Sequence, residues 1–93
     1  MKTIPEVCDM VTVWAKREGD LCFNVKNGGT HSLSAGTKVR VVIVKAWEDP
    51  ECGWTFHGVP TPPCPQMKDA QTDIVMFRKG VKMTGLRSMG ALI

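Results

Sequence analysis

The chain of 93 residues contains no tyrosine, and its longest uninterrupted apolar run extends only from Val41 to Val44. A membrane-spanning helix needs about 20 consecutive apolar residues, so no membrane partner is expected. The first six residues lack the apolar stretch of a secretory signal peptide, which predicts a cytoplasmic protein. In that compartment the four cysteines are expected to be free thiols.

The sequence also lacks the residue patterns of common catalytic and metal sites. No two cysteines or histidines lie two to four residues apart, although structural zinc sites usually contain such pairs. The two glycines at 28–29 are not followed by the lysine of a phosphate-binding loop. We therefore predict a protein that is not an enzyme, with no catalytic residues, no metal and no cofactor. A small zinc or thiol protein built on Cys52, His57 and Cys64 stays open as a lesser alternative.

Short runs rich in β-branched residues, separated by glycine and proline, indicate strands rather than helices. The sequence predicts three hairpins that pair residues 10–16 with 21–26, 37–47 with 54–59, and 72–78 with 81–85. Residues 4–9 are expected to form a short helix, and 60–70 a proline-rich surface connection with a short helical turn after residue 65. The apolar segment 86–93 is expected to pair as an edge strand or to dock.

The most strand-like segment, 37–47, is apolar on both faces in its second half, which predicts a central or bent strand. Residues 33–41 (LSAGTKVRV) resemble the start of the long strand in SH3-like or OB-type barrels. The predicted fold class is all-β, a single domain over 1–93. Its architecture is a small SH3-like or OB-like barrel, or a compact sandwich, of about five to seven short strands with at most one short helix.

The net charge of +3 is concentrated at the C-terminal end of the chain. Residues 71–93 contain Arg78, Lys79, Lys82 and Arg87 but only one acidic residue, Asp73. A basic surface on a small barrel is typical of nucleic-acid binding. One interpretation is therefore a nucleic-acid-binding barrel that uses these four cations on a C-terminal hairpin.

The preferred interpretation is a non-catalytic cytoplasmic binding protein that acts through protein–protein contact. Tryptophan, methionine and arginine are enriched at interfaces, and the chain has three tryptophans and six methionines. The predicted protein-binding residues are Trp47, Trp54, Met83, Arg87 and Met89. Free-standing domains of this size are common among accessory and inhibitor proteins of viruses and mobile elements, and a homo-oligomer stays open.

Overall fold

Seven β-strands and one turn of 3-10 helix form the regular structure of residues 4–88, the part of the chain that the computed structural model describes, with side chains up to residue 85. The strands are β1 (Asp9–Trp14), β2 (Cys22–Asn24), β3 (Thr30–Ser32), β4 (Lys38–Asp49), β5 (Gly53–Pro60), β6 (Val75–Arg78) and β7 (Lys82–Ser88), and the 3-10 turn is η1 (Pro65–Met67). The predicted all-β fold class with at most one short helix is confirmed. Between residues 4 and 88, no helix has the length and apolar character that crossing a membrane requires.

All seven strands belong to one antiparallel sheet, in the order β3-β2-β6-β5-β4-β1-β7. The two outer strands, β3 and β7, do not pair with each other within the described residues. A single sheet with no helical layer must curve around its own core to bury it. The architecture is therefore a loose barrel that is not closed.

The core lies on one face of the sheet because apolar side chains alternate along the strands. Val11 and Val13 of β1 are buried, as are Val39 and Val41 of β4. At the centre, the fully buried Phe56 stacks on Phe77 with ring centroids 5.3 Å apart. Such aromatic pairs contribute beyond their buried area, so this pair is a main element of the core.

The predicted hairpin between residues 10–16 and 21–26 is wrong. β1 pairs with β4 and β7, whereas β2 pairs with β3 and β6. Ala15 and Leu21, at either end of the connecting loop, are both buried. Their carbonyl oxygens accept hydrogen bonds from the N–H groups of Gly36 and Leu33. The loop therefore crosses one end of the core and does not fold its two strands onto each other.

The predicted hairpin between residues 72–78 and 81–85 is also wrong. β6 lies between β5 and β2, and β7 runs along β1. The turn between them is held by the Lys79 N–H, which donates to the Trp54 carbonyl oxygen, and by the buried Val81. Residues 86–88 belong to an edge strand, as expected, while 89–93 lie outside the described residues.

The predicted N-terminal helix over residues 4–9 does not form. The Asp9 N–H donates to the Glu6 carbonyl oxygen and the Glu6 N–H donates to an Asp9 carboxylate oxygen at 2.7 Å, which closes a turn. Cys8 has a positive φ of 76°, a conformation that no helix accommodates. Asp9 is 2 % exposed and begins β1 instead.

A β-bulge at Val44 changes which residues of β4 face the core. Odd-numbered residues face it before the bulge, and even-numbered residues face it afterwards. Ile43 pairs with Gly58 and Lys45 pairs with His57, so Val44 has no partner in the register. Before the bulge, Val41 and Ile43 point into the core; after it, Ala46 packs against the core while Lys45 and Trp47 face away. β4 pairs with both β1 and β5, as predicted for a central strand, and the side chain of the extra residue Val44 is 44 % exposed.

The proline-rich segment 60–70 is only partly a surface connection. Residues 61–63 are exposed, but Met67 and Ala70 are buried in the core. The Gln66 side chain accepts a hydrogen bond from the Ser34 N–H at 3.1 Å and donates to the Thr37 hydroxyl at 3.1 Å. These contacts attach the segment to the loop that leads into β4.

Candidate binding surface

Side chains that point away from the core form what we call the outward face of the sheet. It is identified by the alternation of buried and exposed positions and by the strand register. Its cationic members come from β4, β6 and β7: Lys38, Arg40, Lys45, Arg78 and Lys82. A cationic surface of this kind attracts acidic macromolecules.

Carboxylates are segregated from the outward face. Asp49, the last residue of β4, is the only carboxylate at an outward strand position within residues 4–85. The others occupy loops, turns or positions on the core side of the sheet: Glu6, Asp9, Glu18, Asp20, Glu48, Glu51, Asp69 and Asp73. The outward face is therefore far more cationic than the net charge of +3 suggests.

Asp49 itself closes the β4–β5 turn. One of its carboxylate oxygens accepts hydrogen bonds from the N–H groups of Glu51 at 2.8 Å and Cys52 at 3.0 Å. These two bonds, with a smaller contribution from the positive charge of Arg78, hold the pKa of Asp49 below its usual value. Asp49 therefore stays ionised at neutral pH and places one negative charge near Arg78 at the end of the outward face.

Two lysine–tryptophan pairs occupy opposite ends of β4 on the outward face. The Lys38 ammonium nitrogen lies 5.1 Å from the Trp14 ring centroid, and that of Lys45 lies 4.8 Å from the Trp47 ring centroid. Both distances are within the range of cation–π attraction. Each pair places a half-buried indole ring beside a positive charge.

Trp47 lines a groove with a volume of 810 Å³. Its floor is the outward face of the middle strands, where the Trp47 and His57 rings meet edge to face at 5.1 Å. One wall is the β1–β2 loop, which includes Lys16 and Arg17. Arg78 also lines the groove, as does Asp20, so the groove combines aromatic rings with three cations and one carboxylate.

The imidazole of His57 has a pKa below its ordinary value of 6.5, first because it is partly buried and second because Lys45 is close. In the folded protein His57 therefore releases its proton more readily than in the unfolded chain. The stability associated with it is complete above pH 6.5 and decreases as the pH falls below that value. We expect an NMR titration of the imidazole to give a midpoint below 6.5.

Neutralising Lys45 provides the control for that titration. In Lys45→Gln the midpoint should move up towards 6.5, while His31→Gln should leave the His57 midpoint unchanged. A midpoint at or above 6.5 in the unaltered protein would contradict the described environment of His57.

The structure separates the residues predicted to bind protein. Trp47 faces outward, whereas Trp54 and Met83 are half-buried and pack against the core. The backbone of Arg87 pairs with Met10, and its side chain lies outside the described part of the chain, as does the whole of Met89. Of the predicted residues whose side chains are described, neither Trp54 nor Met83 lies beside Trp47.

The cations predicted for a C-terminal hairpin are distributed differently. Arg78 ends β6 and lines the groove, Lys79 is exposed in the following turn, and Lys82 begins β7 opposite Trp14. The hairpin itself does not exist, because β6 and β7 have other partners. Arg78 and Lys82 nevertheless both belong to the outward face.

The described residues do not assemble the predicted zinc or thiol cluster. Between residues 4 and 88, no three histidine, cysteine or acidic side chains are close enough to hold a metal ion. Cys52 is exposed at the β4–β5 turn and Cys64 packs against the core. In the groove, burial raises the pKa of the Cys22 thiol, which donates to the Met76 carbonyl oxygen at 3.8 Å. A thiol held protonated in this way is a poor nucleophile.

Sequence reasoning offered Lys38 and Arg40 as possible additions to the basic surface and Trp14 as one of six available rings, but it did not predict the Lys38–Trp14 and Lys45–Trp47 pairs. Their pairing depends on the β1–β4 register and on the bulge at Val44, and neither feature has a clear signature in the sequence. Alternation along 37–41 does place Lys38 and Arg40 on one face, and that pattern was the one available clue.

Comparisons with protein-family models, with curated proteins and with solved structures found nothing similar to this chain.

Proposed function

We propose that the protein is a non-catalytic cytoplasmic binding protein whose outward face recognises an acidic macromolecular partner. One observation carries the proposal: the outward face has five cations and, among described residues, the single carboxylate Asp49. Such segregation of charge speeds association with an acidic partner and disfavours basic ones. An accessory or inhibitor role through occlusion is consistent with this activity.

The acidic surface of another protein satisfies the proposal, in keeping with the protein contact expected from the sequence. The middle of the outward face favours such contact, because Val44 is exposed there and Val42 and Val59 are half-buried beside it. An apolar centre surrounded by charge is the usual arrangement of a protein interface.

The proposal predicts that binding to a polyanion depends on where the positive charges lie on the protein and not only on how many there are. We expect the double variant Lys38→Gln/Lys45→Gln to elute from a heparin column at clearly lower salt than the unaltered protein. Heparin serves as a general polyanion, and attraction between exposed charges weakens as salt screens it. The measurement is the salt concentration at the elution peak.

A matched control is the double variant Lys26→Gln/Lys68→Gln. It also reduces the net charge from +3 to +1, but both lysines are exposed in loops away from the outward face. This control should elute close to the unaltered protein. Equal shifts for the two double variants would show that only net charge matters and would overturn the proposal.

A further inference from the structure

The outward face carries aromatic rings that the core does not use. Trp14 and Trp47 are half-buried on the side of the sheet away from the core, and His57 meets Trp47 in the groove. The core is filled by other aromatics, chiefly Phe23, Phe56 and Phe77. Two of the three tryptophans are thus placed where a partner can reach their rings.

Each of these indoles has a lysine ammonium group over its ring, 5.1 Å from the centroid for Lys38 and 4.8 Å for Lys45, which a stacking base would displace towards its own phosphate. A nucleotide is a flat ring joined to an anionic phosphate, so one ring and one neighbouring cation match its two parts. Proteins that bind single-stranded nucleic acid combine a basic groove with aromatic side chains on which bases stack. An acidic protein segment matches the cations but offers no flat ring at each charged unit.

The two pairs are connected along β4. Lys38 and Trp47 are nine residues apart, which corresponds to roughly 30 Å of strand before allowance for the bulge. Arg40 lies on the outward face between them, with its Nε donating to the Thr61 carbonyl oxygen at 3.2 Å. A surface of this length suits an extended polymer better than a small anion.

We propose that the acidic partner is single-stranded nucleic acid, with one base stacked on Trp47 in the groove and another on Trp14. This inference rests on the proposed function, because it names the acidic partner. Lys45 and Arg78 contact phosphates near the first base, and Lys38 and Lys82 contact phosphates near the second. A duplex keeps its bases stacked on each other and hides their faces, so the single strand binds more tightly.

The test is fluorescence anisotropy of the full chain with labelled oligothymidine and oligouridine of roughly 16 nucleotides, the upper site size of a small barrel. Labelled polyglutamate is measured in parallel as an acidic polymer without rings. We expect Trp47→Leu to weaken oligonucleotide binding by about 5-fold to 150-fold, as the loss of one stacked base does. Trp47→Phe should restore most of the affinity, because it returns a ring.

The charged residues give a second readout. In Lys38→Gln/Lys45→Gln, the slope of log affinity against log salt should fall by about 1.4, at about 0.7 for each lost phosphate contact on a single strand. The matched Lys26→Gln/Lys68→Gln variant should keep the slope of the unaltered protein. If Trp47→Leu fails to fold by circular dichroism, Trp14→Leu and Trp14→Phe provide the same comparison at the other pair.

The outcomes separate this inference from the proposed function. If polyglutamate binds with the same dependence on Lys38 and Lys45 while the oligonucleotides do not, the inference fails and an acidic protein surface is the partner. Oligonucleotide binding that Trp47→Leu and Trp14→Leu leave unchanged also overturns the inference, since stacking is then absent. If neither polymer binds, both the inference and the proposed function fail.

Discussion

Replacing Phe56 with alanine is expected to lower the free energy of unfolding by about 3–5 kcal/mol, the usual cost of removing a buried aromatic ring. The Phe56 side chain is 0 % exposed, and it stacks between Trp54 at 6.3 Å and Phe77 at 5.3 Å. The cavity left behind is bounded by paired strands that cannot collapse into it. Urea unfolding followed by circular dichroism measures the loss.

Two further variants show whether the loss comes from the ring. Phe56→Leu retains apolar volume and should lose clearly less stability than Phe56→Ala. Val44→Ala, at an exposed position, should change the free energy of unfolding by no more than about 0.5 kcal/mol. A loss below about 1.5 kcal/mol for Phe56→Ala would mean that this ring is not at the centre of the core.

Gly58→Ala is expected to be nearly as damaging, at about 3 kcal/mol, the upper end of the usual cost of overpacking. A Cβ atom on Gly58 would lie 2.9 Å from both Cβ and Cγ2 of Val41. The Val41 Cβ is attached directly to the backbone of β4, so no rotation of a side chain removes the clash. Strands β4 and β5 must move apart beside the bulge, and thermal unfolding should report this as a large decrease in melting temperature.

Gly80→Ala is the matched control for that substitution. No atom lies within 4 Å of the position of its Cβ, and Gly80 does not have a positive φ. Its melting temperature should stay close to that of the unaltered protein. If Gly58→Ala melts at the same temperature as Gly80→Ala, the close approach of Gly58 to Val41 does not exist in solution.

Local patterns were sufficient to predict the β4–β5 hairpin. Alternating β-branched residues marked both strands, and Asp49 and Pro50 marked a turn that the Asp49 carboxylate does close. The other two predicted hairpins failed for a common reason. Their turn residues were compatible with hairpins, but burial of Ala15, Leu21 and Val81 sends the following strands to partners far along the chain. Pairing between distant strands depends on tertiary contacts that sequence periodicity does not encode.

The candidate surface was predictable only in part. Composition identified Trp47, Arg78 and Lys82 as residues of interest, and all three lie on the outward face. The pairing of Lys38 with Trp14 was not predicted, because the two residues meet only through the β1–β4 register. Trp54 was predicted to bind protein together with Trp47. Successive side chains of a strand point to alternate faces, however. Trp54 lies on the core side with Phe56, whereas Trp47 faces outward.

The bulge at Val44 has a consequence for how this chain tolerates changes in length. Side chains on a strand alternate with a period of two, so loss of one residue turns all that follow to the other side. Val44 is the exception, because it is the extra residue of the bulge: without it the pairs Ile43–Gly58 and Lys45–His57 would follow each other in regular alternation, with Lys45 and Trp47 still outward and Ala46 still inward. The position is therefore permissive for substitution and for deletion, because the bulge is what keeps both ends of β4 in phase in spite of one extra residue.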